Sequence, residues 1–127
     1  MRFTGTQNFT PAEVACKCGC GFLPEQDFME RVQRLRDALR FPLTVSSAAR
    51  CPDYNDKESK TGRDGPHTTG RAIDLVVRGD QALSVLEAML REGFTGIGVN
   101  QKGDARFIHG DDLPNKPGQP RPHLWSY

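Results

Sequence analysis

The 127-residue chain has only three histidines, His67, His109 and His123. Two of them stand near carboxylates that chemistry can use. His67 closes a long polar stretch seven residues before Asp74. Asp74 is itself out of place, a carboxylate in the apolar run Ala72-Ile73-Asp74-Leu75-Val76-Val77. An ionised carboxylate in a buried strand is costly unless a cation or a set of donors meets it. Pairing with Arg71 or solvation at a sheet edge would serve, and so would a metal. His109 lies in Arg106-Phe107-Ile108-His109-Gly110-Asp111, where strand alternation puts Phe107, His109 and Asp111 on one face and Ile108 on the other. A strand histidine alone is commonly structural. Two imidazoles and a carboxylate together make a three-donor set with a fourth position open, which separates catalytic zinc from closed structural zinc.

A second group of metal-competent residues is Cys16, Cys18, Cys20 and Cys51. The run Cys16-Lys17-Cys18-Gly19-Cys20 is too tight for easy pairing among its own members, and zinc sites usually space paired cysteines more widely. Met1 to Thr10 carries one Arg and no apolar core, so no secretory signal is read there and reduced thiols are as reasonable as disulfides. The expectation is a structural cross-link that includes Cys51, with a disulfide to one cluster cysteine slightly ahead of a second zinc held by thiolates. His123 sits in a Pro-rich stretch and reads as surface or rim. Trp125 reads as a core plug before a substrate platform.

These residues need elements to aim them. Thr10, Pro11 and Glu13 start a short helix with a capping box, flanked by a Phe9/Val14 staple. Phe28, Val32, Leu35 and Leu39 mark the apolar face of a helix over about Pro24 to Arg40. A β-prone stretch follows at Leu43 to Ser47, and the polar composition of Cys51 to Gly70 reads as a long functional loop. A strand at Ala72 to Val77 leads to a helix over Gln81 to Arg91, capped by Gly79-Asp80, with Leu83, Leu86 and Leu90 inward. Strands at Gly96 to Val99 and Arg106 to Gly110 form a hairpin, and Leu124 to Tyr127 reads as an edge strand. The order predicts one α+β domain, residues 1–127, with a small, mainly antiparallel sheet and about three helices.

Seventeen basic residues face sixteen acidic ones, for a net charge of +1. That balance disfavours nucleic acid or an anionic membrane as partner, and no apolar run approaches the ~20 residues of a membrane span. A monomer made without an export signal is expected.

The motifs carry a resemblance. His67-Thr68-Thr69-Gly70-Arg71-Ala72-Ile73-Asp74 resembles the His-x-x-Gly-x-Ala-x-Asp signature of the M15 zinc metallopeptidases, which include D-alanyl-D-alanine carboxypeptidases, phage endolysin peptidases and the hedgehog signalling domain. Ser47-Ala48-Ala49-Arg50-Cys51-Pro52-Asp53-Tyr54-Asn55 is similar to that family's Ser-Gly-Tyr-Arg-Cys-Pro-x-His-Asn segment. Gly96-Ile97-Gly98-Val99 and Phe107-Ile108-His109-Gly110-Asp111 are similar to its Gly-x-Gly strand and closing His-x-Asp, and the opening Ala15 to Gly21 to the start of its short members.

The resemblance implies a hedgehog/DD-peptidase-like fold, a catalytic Zn2+ on His67, Asp74 and His109, and Arg50 facing substrate or a developing oxyanion. It implies a peptidoglycan stem peptide or cross-link containing D-alanine as substrate, cut at a terminal or internal bond. A lysis enzyme of phage or prophage, acting on the cell wall once released, is the setting it suits. Several relatives place an acid three residues before the last histidine, where this chain has Arg106. The general base is therefore expected at Asp111, with Asp104 as the other choice and a support of the His109 ring as Asp111's alternative role. Relatives often have Ser at the position of Gly65, Tyr at Ala49 and a larger apolar residue at Gly110. The missing acid keeps a second function in view, a non-catalytic zinc-binding recognition module. A structural phage component using zinc only to fold ranks lower, because the donor set leaves a position open.

Overall fold

The computed structural model describes residues 1–127. Its helices are α1 (Pro11–Val14), α2 (Gln26–Ala38), α3 (Pro52–Glu58) and α4 (Gly79–Arg91). Its strands are β1 (Thr44–Ser47), β2 (Ala72–Val76), β3 (Gly96–Asn100), β4 (Phe107–Asp111) and β5 (His123–Ser126). Two 3-10 turns, Gly62–Asp64 and Pro66–Thr69, lie between α3 and β2. The five strands form one sheet in the order β1-β2-β4-β3-β5, antiparallel throughout except for the parallel β3/β5 edge. The α+β class and the antiparallel sheet read from the sequence are those of the molecule. No helix is long and apolar enough to cross a membrane.

Period-two alternation sorts the central strands. Ile73 and Leu75 of β2 and Ile108 of β4 join one apolar cluster with Phe28, Val32 and Leu35 of α2 and Val85 and Met89 of α4. Each such side chain stabilises the fold by about 1.5–3 kcal/mol relative to exposure. Asp74, His109 and Asp111 alternate with these residues and take the opposite face, so the core that binds the helices also fixes where the polar residues point.

Two expectations need correction. The polar stretch after Cys51 is not one irregular loop but holds α3 and both 3-10 turns. Pro52 at its first turn suits the helix start, and Asn55 is buried there by polar partners, so α3 shows no apolar stripe. In α4 the inward face is Ala82, Val85, Ala88 and Met89; of the three leucines expected there, Leu86 packs partly buried against the core, while Leu83 and Leu90 are exposed. The helix carries two neighbouring apolar stripes, and the one with two alanines lets it approach the sheet closely. Phe28, Val32, Leu35 and Leu39 are buried as their spacing predicts, and Glu13 accepts from the Thr10 amide at 2.8 Å in α1.

Candidate metal centre and its pocket

The register sets a row across the sheet. Ser47 pairs with Asp74, Asp74 with His109, His109 with Gly98, and Gly98 with Trp125. His67 joins from the turn Pro66–Thr69, and its carbonyl accepts from the Arg50 amide at 3.1 Å. His67 Nε2 lies 3.3 Å from Asp74 Oδ1, and His109 Nδ1 lies 3.0 Å from the same oxygen. The three donors sit within 4.8 Å of one another and all three residues are buried. Metal–donor bonds of about 2.0–2.1 Å in tetrahedral geometry give donor separations of about 3.3 Å, so the set has the right size for zinc.

The far sides of both rings are already committed. His67 Nδ1 lies 2.6 Å from the Ala48 carbonyl, which can only accept, so that nitrogen carries a proton and Nε2 faces Asp74. His109 Nε2 lies 2.8 Å from the Asp111 carboxylate, which leaves Nδ1 to face Asp74. Two imidazole lone pairs and a carboxylate then converge on one point and need positive charge between them. Protons can supply it, and so can a metal ion. Burial pushes the Asp74 carboxyl up, but hydrogen bonds from His109 and His67 more than reverse this and hold it well below the usual carboxylate range. Burial pulls the His109 imidazole down, and the bonds to Asp111 and Asp74 raise it above its ordinary value. The donor set fits a divalent zinc ion. Arg71 does not pair with Asp74; its fork is taken by Asp112 and Asp27.

Asp111 lies behind this centre. Its side chain is fully enclosed, and its oxygens accept from His109 Nε2, from Arg121 Nε and Nη2 at 2.9 and 2.8 Å, and from the Leu113 amide at 3.3 Å. Burial raises its carboxyl, while His109 and Arg121 bring it down to about 2. A carboxylate so engaged has no oxygen left to take a proton from water. Of the two roles expected for Asp111, these contacts suit the support that orients His109 better than the general base. Asp104 is exposed on the β3–β4 turn and does not line the pocket.

The donors open into a cavity of about 450 Å³. Arg50 stands on its wall with Nη2 3.8 Å from Asp74 Oδ2, held by Ser47 Oγ at 2.9 Å and Asn55 Oδ1 at 3.2 Å. Asn55 in turn donates to Thr61 Oγ1 at 2.9 Å. Thr61 fills the space beside Gly65, and a Cβ there would collide with its hydroxyl, so the serine of relatives has no room. Besides Asp74, Glu58 is the one side-chain carboxylate lining the cavity, exposed at the C-terminal end of α3.

The opposite wall comes from β5. Trp125 is half-buried with its ring 5.1 Å from that of His109, so it is a wall of the pocket rather than the core plug expected. Gly98 permits this, since a Cβ there would lie 2.5 Å from Trp125 Nε1. His123 is exposed and stacks on Trp125, in keeping with a rim position. Burial raises the phenol of Tyr127, which also lines the cavity.

Sequence reasoning missed Glu58, Arg121, Tyr127 and the bracing by Asn55. Asn55 ends the Ser47–Asn55 motif and could have been singled out there. Glu58 was hidden in a stretch read as loop, and Arg121 is one cation among prolines with no pattern to mark it.

Donors aimed at one point, with one side open to a pocket, suit a catalytic metal site rather than a closed structural one. The Peptidase M15 family model matches residues 7–111, and the chain belongs to that family. The family is zinc-dependent. The match spans the three donors, Arg50, Glu58 and the four cysteines, and leaves β5 outside. No curated protein matches the chain significantly.

Proposed function

We propose that this chain is a zinc peptidase that hydrolyses D-alanine-containing bonds of peptidoglycan stem peptides. The observation that carries it is the pair of fixed tautomers, which turn His67 Nε2 and His109 Nδ1 onto Asp74 beside an open cavity. Zinc held by these three residues would activate a water and polarise the scissile carbonyl. The fork of Arg50, already aligned by Ser47 and Asn55, binds the substrate's terminal carboxylate or the oxygen on which charge develops. Glu58 is the pocket carboxylate left free to take the proton and return it to the leaving amine. Asp111 keeps His109 in its ligating tautomer. Trp125 and Tyr127 give the cavity apolar walls that suit the methyl groups of alanine.

Stem peptides are the partner this reading names, and a bacterial wall reached during phage or prophage lysis is its setting. The recognition-module reading keeps one observation in its favour, Arg106 where relatives have an acid. Zinc-loaded protein should be incubated with purified muropeptides and the products weighed by mass spectrometry. Loss of a terminal D-alanine from monomers identifies a carboxypeptidase, and conversion of cross-linked dimers to monomers an endopeptidase. No change in either pool would reject catalysis and leave the recognition module.

A further inference from the structure

The four cysteines are untouched by the peptidase reading, and their arrangement is specific. Gly19 and Gly21 adopt left-handed φ values of 86° and 88°, a region that glycine enters without penalty. A Cβ on either would meet nothing, so backbone conformation, not space, is what they supply. The Gly19 amide bonds to the Cys16 carbonyl at 3.2 Å and the Cys16 amide to the Phe22 carbonyl at 2.9 Å. The chain thereby curls, and the sulfurs of Cys16, Cys18 and Cys20 turn toward a common centre instead of alternating as in a strand. Cys51 arrives from the start of α3 as the fourth.

All four Sγ atoms lie within 4.8 Å of one another, and none is in a disulfide. Cys16 and Cys18 are 3.4 Å apart, and Cys18 and Cys51 3.6 Å. A zinc ion with four Zn–S bonds of about 2.3 Å has sulfur–sulfur edges of about 3.8 Å. A disulfide would use two sulfurs and leave two converging for no reason, so the order expected from the sequence is reversed. Backbone amides also point at sulfur: Cys51 N to Cys16 Sγ at 3.3 Å and Tyr54 N to Cys51 Sγ at 3.4 Å, as suits thiolates bound to a metal.

We infer that Cys16, Cys18, Cys20 and Cys51 form a closed structural site that binds one zinc ion through four thiolates. Soft sulfur donors in a tetrahedron suit zinc and disfavour hard ions such as magnesium and calcium. The site ties the segment from Cys16 to Cys20 to the residue that follows Arg50. It is independent of the peptidase centre and does not rest on its activity.

The test uses the full-length double variant His67→Ala/Asp74→Ala, which removes the other donor set. Purified under reducing conditions, it should retain one zinc per chain, with X-ray absorption showing sulfur neighbours only, at about 2.3 Å. Cobalt substitution should give intense thiolate-to-cobalt charge-transfer absorption. Cys20→Ser in the same background should lose the ion; if that variant does not fold, the absorption spectrum of the double variant decides alone. Absence of metal from the folded double variant would overturn the site, as would iron in place of zinc or nitrogen and oxygen in the coordination shell. A disulfide found on thiol counting after denaturation would overturn it too. None of these outcomes bears on peptidase activity, which the muropeptide assay reads separately.

Discussion

Two clusters of metal-competent residues lie on one small fold, and they are built in opposite ways. His67, Asp74 and His109 are buried, and two of the three stand directly opposite each other on paired strands. Cys16, Cys18, Cys20 and Cys51 come from a glycine-shaped turn and a helix start, and two of them are exposed. The first set has three hard or borderline donors and a cavity on its open side. The second has four soft donors and no open position. Rigid strands suit a centre that must hold geometry while bonds change. A turn suffices where the ligands themselves close the structure.

The largest effect should come from Asp74→Ala. Peptidase activity should fall to assay background and the zinc of that centre should be lost, while the cysteine zinc stays. Metal analysis beside muropeptide turnover checks both. Loss of both ions from a folded protein would end the idea of two separable centres.

Next come the pocket residues to which the proposed reaction gives a role. Glu58→Gln should reduce kcat by about 10²–10⁴-fold with both zinc ions bound, the range of a lost proton acceptor. A rate within a few-fold of wild type would take that role away from Glu58. Arg50→Lys should cost about 10²–10³-fold, because an ammonium cannot reproduce a fork already fixed by Ser47 and Asn55. Equal rates for lysine and arginine would reduce its contribution to charge alone.

Asp111→Asn should act more weakly on chemistry, by about 10–100-fold in zinc affinity or activity, as expected of a group that orients a ligand ring. It should also destabilise the chain, since Arg121 has a side chain only 6 % exposed and would lose its carboxylate. Zinc titration and urea unfolding separate these effects. If kcat vanished with zinc affinity intact, Asp111 would be a proton carrier after all, despite its enclosure.

What could be read from the sequence follows the same division. The donor triad was legible because Asp74 breaks a local rule, a carboxylate in an apolar strand, and two of only three histidines stand near carboxylates. Sheet alternation then put His109 and Asp111 on one face, but it could not tell that Arg121 would close around Asp111 from the far end of the chain. The helix α2 was legible from one unambiguous stripe. In α4 two stripes competed, and only the sheet decides between them. The fold of α3 was invisible because Asn55 is buried by hydrogen bonds, a signal with no periodicity.

The smallest effect belongs to a residue inside the signature motif that takes no part in either centre. Arg71 bonds Asp112 through Nε and Nη2, both at 2.8 Å, and Asp27 through Nη1 and Nη2 at 2.8 and 3.0 Å. It therefore braces α2 against the end of β4, three residues before Asp74 in sequence yet turned away from it. Asp27 is 71 % exposed, so its half of the bridge is worth under about 1 kcal/mol. Its carboxyl is held below the ordinary value of 3.8 by the hydrogen bond from Arg71. A carboxylate favoured in the folded state adds stability above its unfolded pKa and loses that contribution as acid protonates it. Asp27→Asn should thus lower the urea midpoint slightly near neutral pH, with the difference from wild type shrinking below about pH 4. Zinc content and turnover should not change. A loss of metal in this variant would make Arg71 part of the frame that holds Asp74, and the separation between scaffold and centre would be less sharp than the geometry gives it.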